Sequence, residues 1–501
     1  MKNHSKNPVF WISAIIITLF VIWGALFPKA LETQASLIFG FTTSNFSWFY
    51  LLSVMFFIIF LLFLAFTKYG KIRLGNDDSR PDYPFFTWIG MLFSAGFGVG
   101  LVFWGIAEPL SHFFRPPLGE TAQTPEAARL AMHYAFFHWG VHQWSVFALV
   151  GLAIAYFQFR KKENGLISTT FNPLIGEKGK TTLRQTIEIL AVIATVMGVA
   201  TSLGMGILQI NGGMNFVFDV PKNATVQIII TVILLVLYLA SSTTGLNKGI
   251  KYLSNLNLGL ALLLMLFVLF LGPTAFILKT LTLGIGDYIQ DFIAYSLRLT
   301  PYKGGTWVRD WTVFYWAWAI AWSPFVGSFV ARVSRGRTIR EFVVGVLIVP
   351  PLIAIIWIAV FGGSALHLDL FNGTDIAEAV DKDMTSALFK TFDYFPWTGL
   401  LSTLAILLIF TFLITSADSA TFVLAMLTTK GSLNPGMFVK IIWGVLMAAI
   451  SVVLIISSGL QGLQTASLLS ALPFTVILIV MAISLFKALS KEKISKNKNP
   501  G

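Results

Sequence analysis

Residues 311–325 read WTVFYWAWAIAWSPF, which sets Trp311, Trp316, Trp318 and Trp322 in one apolar run that Pro324 interrupts. The face of an indole ring attracts a cation through its quadrupole and needs no buried carboxylate to do so. Such a segment suits a solute carrying a quaternary ammonium group. Proline removes a backbone donor inside a helix, so a break is expected at 322–327. A second is expected at Gly96, Gly98 and Gly100 in MLFSAGFGVGLVFWGIAEPL, which begins at Met91, because each glycine costs a helix interior about 1 kcal/mol relative to alanine. Close packing of Gly96 and Gly100 against a neighbouring helix is the competing use. A phosphate-cradling loop is excluded, since no strand precedes the glycines and no lysine follows. Breaks in two membrane helices free carbonyls for a cation and amides for an anion, as in transporters built from inverted repeats.

Other polar groups sit in apolar surroundings. Thr415, Ser416, Asp418 and Ser419 follow the run LLIFTFLI. Their hydroxyls offer hard oxygen ligands for sodium, although bonding back to their own helix is the commoner role. Asp418 suits a proton relay or a partner for a nearby backbone amide. His138 and His142 have the i, i+4 spacing of a zinc pair, but the accompanying Glu of H-E-x-x-H is missing and no third ligand is evident. Trp139 and Trp144 are five residues apart, about 140° around a regular helix, so they can flank a cavity without forming one flat face.

These groups need a membrane scaffold. The chain of 501 residues is 56% hydrophobic and 12% charged, with a mean hydropathy of +0.78, a composition that would coat a soluble protein in apolar surface. Twelve apolar segments approach the length of about 20 residues that crosses a bilayer as a helix. They lie near 9–28, 47–67, 85–107, 131–157, 185–213, 224–242, 253–277, 307–331, 341–366, 397–424, 438–458 and 465–487. Placing both termini in the cytoplasm puts most of the 35 Lys and Arg on that side, as the positive-inside rule requires. The net charge of +12 is then a topology signal and not a nucleic-acid footprint. The first segment lacks a small-residue cleavage site and reads as a retained span. With no cysteine, disulfides and thiolate chemistry are excluded, and no nucleophile–base pair argues for an enzyme. The tail from Lys487 to Gly501 carries five lysines against Glu492. It is able to rest on anionic membrane lipid, at about 1 kcal/mol per basic residue near the surface.

The stretch WTVFYWAWAIAWSPFVGSFVARVSRGRTIREF at 311–342, with GFGVGLVFWGIAEP from Gly96, FFHWGVHQW from Phe136 and TFLITSADSA from Thr411, resembles the betaine/choline/carnitine transporter family. The likeness covers essentially the whole chain and is strongest to the glycine betaine importers of that family. It implies an all-α polytopic membrane protein of 12 transmembrane helices with two inverted five-helix repeats, the leucine-transporter-like fold. Residues 1–84 would hold two helices outside the repeats, 85–280 the first repeat, 281–306 an extracellular connecting segment with an amphipathic helix, 307–487 the second repeat and 488–501 the cytoplasmic tail. A homotrimer in the cell membrane is implied, importing glycine betaine or a related betaine for osmoprotection with sodium as coupling ion and no other cofactor. A minority of the family exchanges substrates without sodium, and others take choline or carnitine. A non-transporting solute sensor ranks below all of these.

The resemblance also assigns sites. Trp139, Trp144, Phe147, Trp318 and Trp322 would form an aromatic cage, with Phe97 touching substrate or ion. One sodium would bind the hydroxyls of Thr415 and Ser416 and the carbonyls of Ser94, Phe97 and Phe412. A second would use Thr195 and the ring of Phe325, with Val199 standing where relatives offer a hydroxyl. Ala319 stands where the family usually has a further tryptophan, Phe147 where tyrosine is frequent and Phe97 where methionine is usual. Gly100 replaces the aspartate of choline-type members and favours a zwitterion over a cation without a carboxylate.

Overall fold

A computed structural model describes residues 7–96, 98–176, 181–244 and 247–492. Among these, all regular structure is helical apart from one antiparallel bridge between Arg73 and Thr338. Among the described residues, ten helices are long and apolar enough to cross a membrane. The longest, Met437–Leu489, breaks at Gly459 (φ 57°, ψ −135°) and so holds two spans; only glycine takes that conformation without a Cβ penalty. The third span is two half-helices, Phe85–Gly96 and Val99–Phe114. At 1.5 Å per residue each falls short of a hydrocarbon core of about 30 Å. Twelve crossings result, and the protein is a polytopic, multi-pass membrane protein.

The expected break in the third span is present, with Gly98 extended at φ −166°, ψ 170°. The one expected at Pro324 is not. Helix Phe314–Val333 runs straight through the proline, because the Ile320 carbonyl, left without its i+4 donor, accepts instead from Ser323 Oγ at 2.8 Å. The irregular turn of the eighth span lies at its start, where Arg309–Val313 is π-helical. The pairing of two broken helices, which favoured inverted repeats, therefore does not hold in that form. A break appears instead in the fourth span, where Gly140 (φ −81°, ψ −151°) separates Pro125–Trp139 from Val141–Ala155. A Cβ at Gly140 would lie 2.4 Å from Tyr288 Oη.

Two boundaries differ from the hydropathy reading. The second span belongs to a 39-residue helix, Pro28–Phe66, that starts well before residue 47. The seventh ends at Leu271, where Gly272 and Pro273 stop it, and a separate helix Thr274–Gln290 covers the stretch leading into the expected connecting segment.

The basic loops share one face. Leu74 N donates to Arg337 O at 2.8 Å and Ile339 N to Ile72 O at 2.9 Å, joining the loops after the second and eighth spans. Arg160, after the fourth span, reaches Asp77 at 2.8 Å and Glu492 at 2.7 Å. The opposite face is tied by Arg115–Asp381, Lys222–Asp383 and Arg129–Asp287 pairs.

Candidate functional site

Five of the cage residues form one connected set of rings. Trp139 meets Trp318 edge-on at 5.9 Å and 82°, and Trp318 stacks with Trp322 at 6.2 Å and 26°. Trp322 meets Phe147 at 6.1 Å, and Phe147 meets Trp144 at 5.2 Å and 84°. The i, i+4 pair Trp318 and Trp322 lies on one stripe of the eighth span, while the bend at Gly140 releases Trp139 and Trp144 from the angle a regular helix would impose. Trp322 is half-buried; the other four are buried. Phe97 lies outside the described residues.

Gly100, the second residue of the half-helix Val99–Phe114, seats this cluster. A Cβ there would lie 2.3 Å from Trp318 Cη2 and 3.4 Å from Trp139 Cη2. No side chain fits without moving the rings, so glycine here serves close approach and not only flexibility.

A vestibule of about 890 Å³ runs from the cage to the basic-loop face. Its inner end is lined by Gly98, Trp322 and Phe325, its mouth by Asp82, Arg335 and Lys440. Ser94, Phe412, Thr415 and Ser416 line the same space, so the first expected sodium set comes together apart from Phe97. Thr415 Oγ1 is 3.0 Å from Phe412 O and accepts from Asn257 Nδ2 at 3.2 Å. Asp418 also reaches the vestibule and accepts from Ser241 Oγ at 3.2 Å, a side-chain partner and not the backbone amide considered from sequence.

The second expected set is less coherent. Thr195 is fully buried with its hydroxyl donating to Ala191 O at 2.7 Å. Phe325 and Val199 instead border a small cavity of about 20 Å³ that Ser202 and Ser416 also line, a volume for a single water-sized occupant.

On the far side of the cage the rings close up. Trp104 meets Trp311 at 5.5 Å, and His112 meets Trp311 at 4.4 Å. Beneath them lies Glu108, fully buried, which sequence reasoning did not single out. Its Oε1 accepts from His138 Nδ1 at 2.6 Å and His112 Nε2 at 3.2 Å. Its Oε2 accepts from Trp139 Nε1 at 3.0 Å and from Tyr315 Oη. The available signal was an acidic residue in the apolar stretch GIAEP, since an ionisable group at membrane depth is a functional candidate. Candidate ligand atoms of Glu108, His112 and His138 lie within 4.8 Å of one another, but four donors already satisfy the carboxylate, which accounts for the cluster without an ion. His138 and His142 do not converge: His142 Nε2 pairs with Ser296 Oγ at 2.6 Å.

The aromatic cluster thus lies beside a broken helix, and one of its rings, Trp322, lines the vestibule. Sequence comparison gives the chain a family. The model for the betaine/carnitine/choline family transporters matches residues 8–494. An ectoine/hydroxyectoine transporter of Virgibacillus pantothenticus is 60% identical over 98% of each chain. The glycine betaine transporter OpuD of Bacillus subtilis (strain 168) is 49% identical, over 98% of this chain and 96% of its own. An osmo-dependent choline transporter, BetT2 of Acinetobacter baylyi, is 37% identical over 98% of this chain and 72% of its own. These proteins are transporters and not enzymes, and the chain belongs to the betaine/carnitine/choline transporter family.

Proposed function

We propose that the protein imports a zwitterionic compatible solute, glycine betaine or ectoine, by sodium-driven alternating access, in the service of osmoprotection. The observation that carries this reading is the connected set of Trp139, Trp318, Trp322, Phe147 and Trp144 beside the break at Gly98. Aromatic faces take the cationic end. The amides that open the half-helix Val99–Phe114 take the carboxylate, aided by the helix dipole. Sodium binds Thr415 and Ser416 with the carbonyls of Ser94, Phe97 and Phe412, against the end of the other half-helix. With the basic loops and both termini in the cytoplasm, the vestibule faces inward, and the rings around Trp311 close the outer path.

Two observations favour ectoine as the preferred solute: the 60% identity to an ectoine/hydroxyectoine transporter and Ala319 in the place of a tryptophan. Ectoine carries its positive charge on a planar amidinium, which can lie along a ring face and does not need a wall on every side. Uptake of radiolabelled glycine betaine, ectoine and choline into liposomes tests both readings, with an inward sodium gradient, with potassium in its place, and with solute preloaded inside. Sodium-dependent accumulation supports symport, and uptake only into preloaded vesicles overturns the sodium assignment. Higher catalytic efficiency for ectoine than for glycine betaine supports the second reading.

A further inference from the structure

Glu108 lies about two turns beyond Gly100 on the same half-helix, and it has no part in the solute contacts proposed above. Its four donors come from three spans: His112 from the third, His138 and Trp139 from the fourth, and Tyr315 from the eighth. The ring nitrogens of His112 and His138 that face the carboxylate are read as donors, since ionised oxygen only accepts. Hydrogen bonds to a charged group are stronger than neutral ones, and a buried carboxylate holds its donors firmly.

One of those donors belongs to the cage. The Nε1 proton is the only polar group of an indole, so its bond to Glu108 Oε2 at 3.0 Å fixes the rotation of the Trp139 ring. That rotation sets the edge-on contact with Trp318. Tyr315 braces the arrangement from the side: its ring meets Trp139 at 5.8 Å and stacks on His138 at 4.6 Å and 17°. Donation to an anion also shifts electron density into the indole, which strengthens its attraction for a cation.

We propose that Glu108 is the positioning residue of the cage: it acts on the cationic group of the solute through Trp139, holding the ring in place and making its face more negative. This rests on the reading of the cage as the solute site. A purely structural Glu108, binding three spans together, would lower stability without acting through the indole. A double-mutant cycle separates the two.

Wild type, Glu108→Gln, Trp139→Phe and the double variant are purified and reconstituted. Kd for labelled ectoine and glycine betaine is measured on the purified protein, KM and kcat in liposomes, and melting temperature on each variant. Glutamine keeps the volume and removes the charge; phenylalanine keeps a ring and removes the N–H. Glu108→Gln is expected to raise Kd and KM about tenfold, the scale of a charge-assisted hydrogen bond, with a smaller change in kcat. In the Trp139→Phe background the same substitution is expected to add less than about twofold. An unchanged Kd in Glu108→Gln, or an equal fold-change in both backgrounds, overturns the proposal. Should Glu108→Gln fail to reach the membrane, Glu108→Asp takes its place, keeping the charge while withdrawing the acceptor from Nε1. Failure of the wild type to bind or accumulate either solute removes the cage as a site, and the proposal with it.

Discussion

At the scale of single residues, the aromatic cluster joins the eighth and fourth spans through ring contacts, so in the proposed site each ring would serve both packing and recognition. Trp322 is half-buried at the inner end of the vestibule, where a solute would meet it. A cation–π contact contributes about 0.5–2 kcal/mol, equivalent to roughly twofold to thirtyfold in affinity. Trp322→Leu is expected to raise KM within that range, whereas Trp11→Leu, at a position 43% exposed in the first span, leaves it unchanged. Equal losses in a liposome uptake assay would remove Trp322 from the site. Gly100→Ala gives a sharper test, because its new methyl would lie 2.3 Å from Trp318. Displacement of that ring is expected to raise KM at least as much as Trp322→Leu does, while a wild-type KM would show that the cage tolerates the shift. The tryptophans were legible in the sequence because aromatic residues at such density in one span are unusual. Glu108 was not singled out: His112 stands at i+4 on the same half-helix, but the other three donors come from the fourth and eighth spans, and no local spacing announces those.

At the scale of elements, glycine and proline were uneven guides to where helices break. Gly98 and Gly459 interrupt their helices, and Pro273 ends one and starts the next. Pro324 does neither, since Ser323 returns a hydrogen bond to the carbonyl that the proline abandons. That compensation was written in the dipeptide Ser-Pro, but a propensity argument counts the lost donor and not the neighbour that replaces it. Gly140 was missed for the opposite reason: one glycine between His138, Trp139 and His142 reads as tolerated, and the Tyr288 hydroxyl that crowds it arrives from a distant helix. Ser323 is fully buried, so Ser323→Ala leaves the Ile320 carbonyl unpaired in a dry environment, at a cost of about 1–3 kcal/mol. A lower melting temperature is expected, with the eighth span prone to bend at Pro324. An unchanged melting temperature would mean that another donor serves Ile320.

At the scale of the whole molecule, the spans were legible from hydropathy and the grouping of loops from charge, but how the loops lock together was not. Arg160 is the hub of the basic face. It donates to the Arg73 and Gly75 carbonyls, to Asp77 and to Glu492, so the loops after the second and fourth spans and the chain beyond the twelfth meet at one guanidinium. The sequence showed Glu492 as a lone acid among tail lysines; the structure makes it the latch that fastens the end of the last helix to the bundle. Burial alone would raise its carboxyl, yet hydrogen bonds from Arg160, Lys161 and Tyr156 outweigh that and lower it from an ordinary 4.5 to about 2. A carboxyl depressed in the folded state stabilises it fully above the ordinary value, progressively less as pH falls from there, and not at all below the depressed value. The melting temperature of the wild type is therefore expected to exceed that of Glu492→Gln by a constant margin from pH 7 to about 5. The margin should shrink steadily between about pH 4.5 and 3, as the carboxyl of the unfolded chain takes up a proton that the folded latch does not. Truncation after Ser490 removes the same carboxyl and should follow the Glu492→Gln curve. A margin that stays flat down to pH 3 would mean that packing of the last helix, and not this carboxylate, holds the chain end in place.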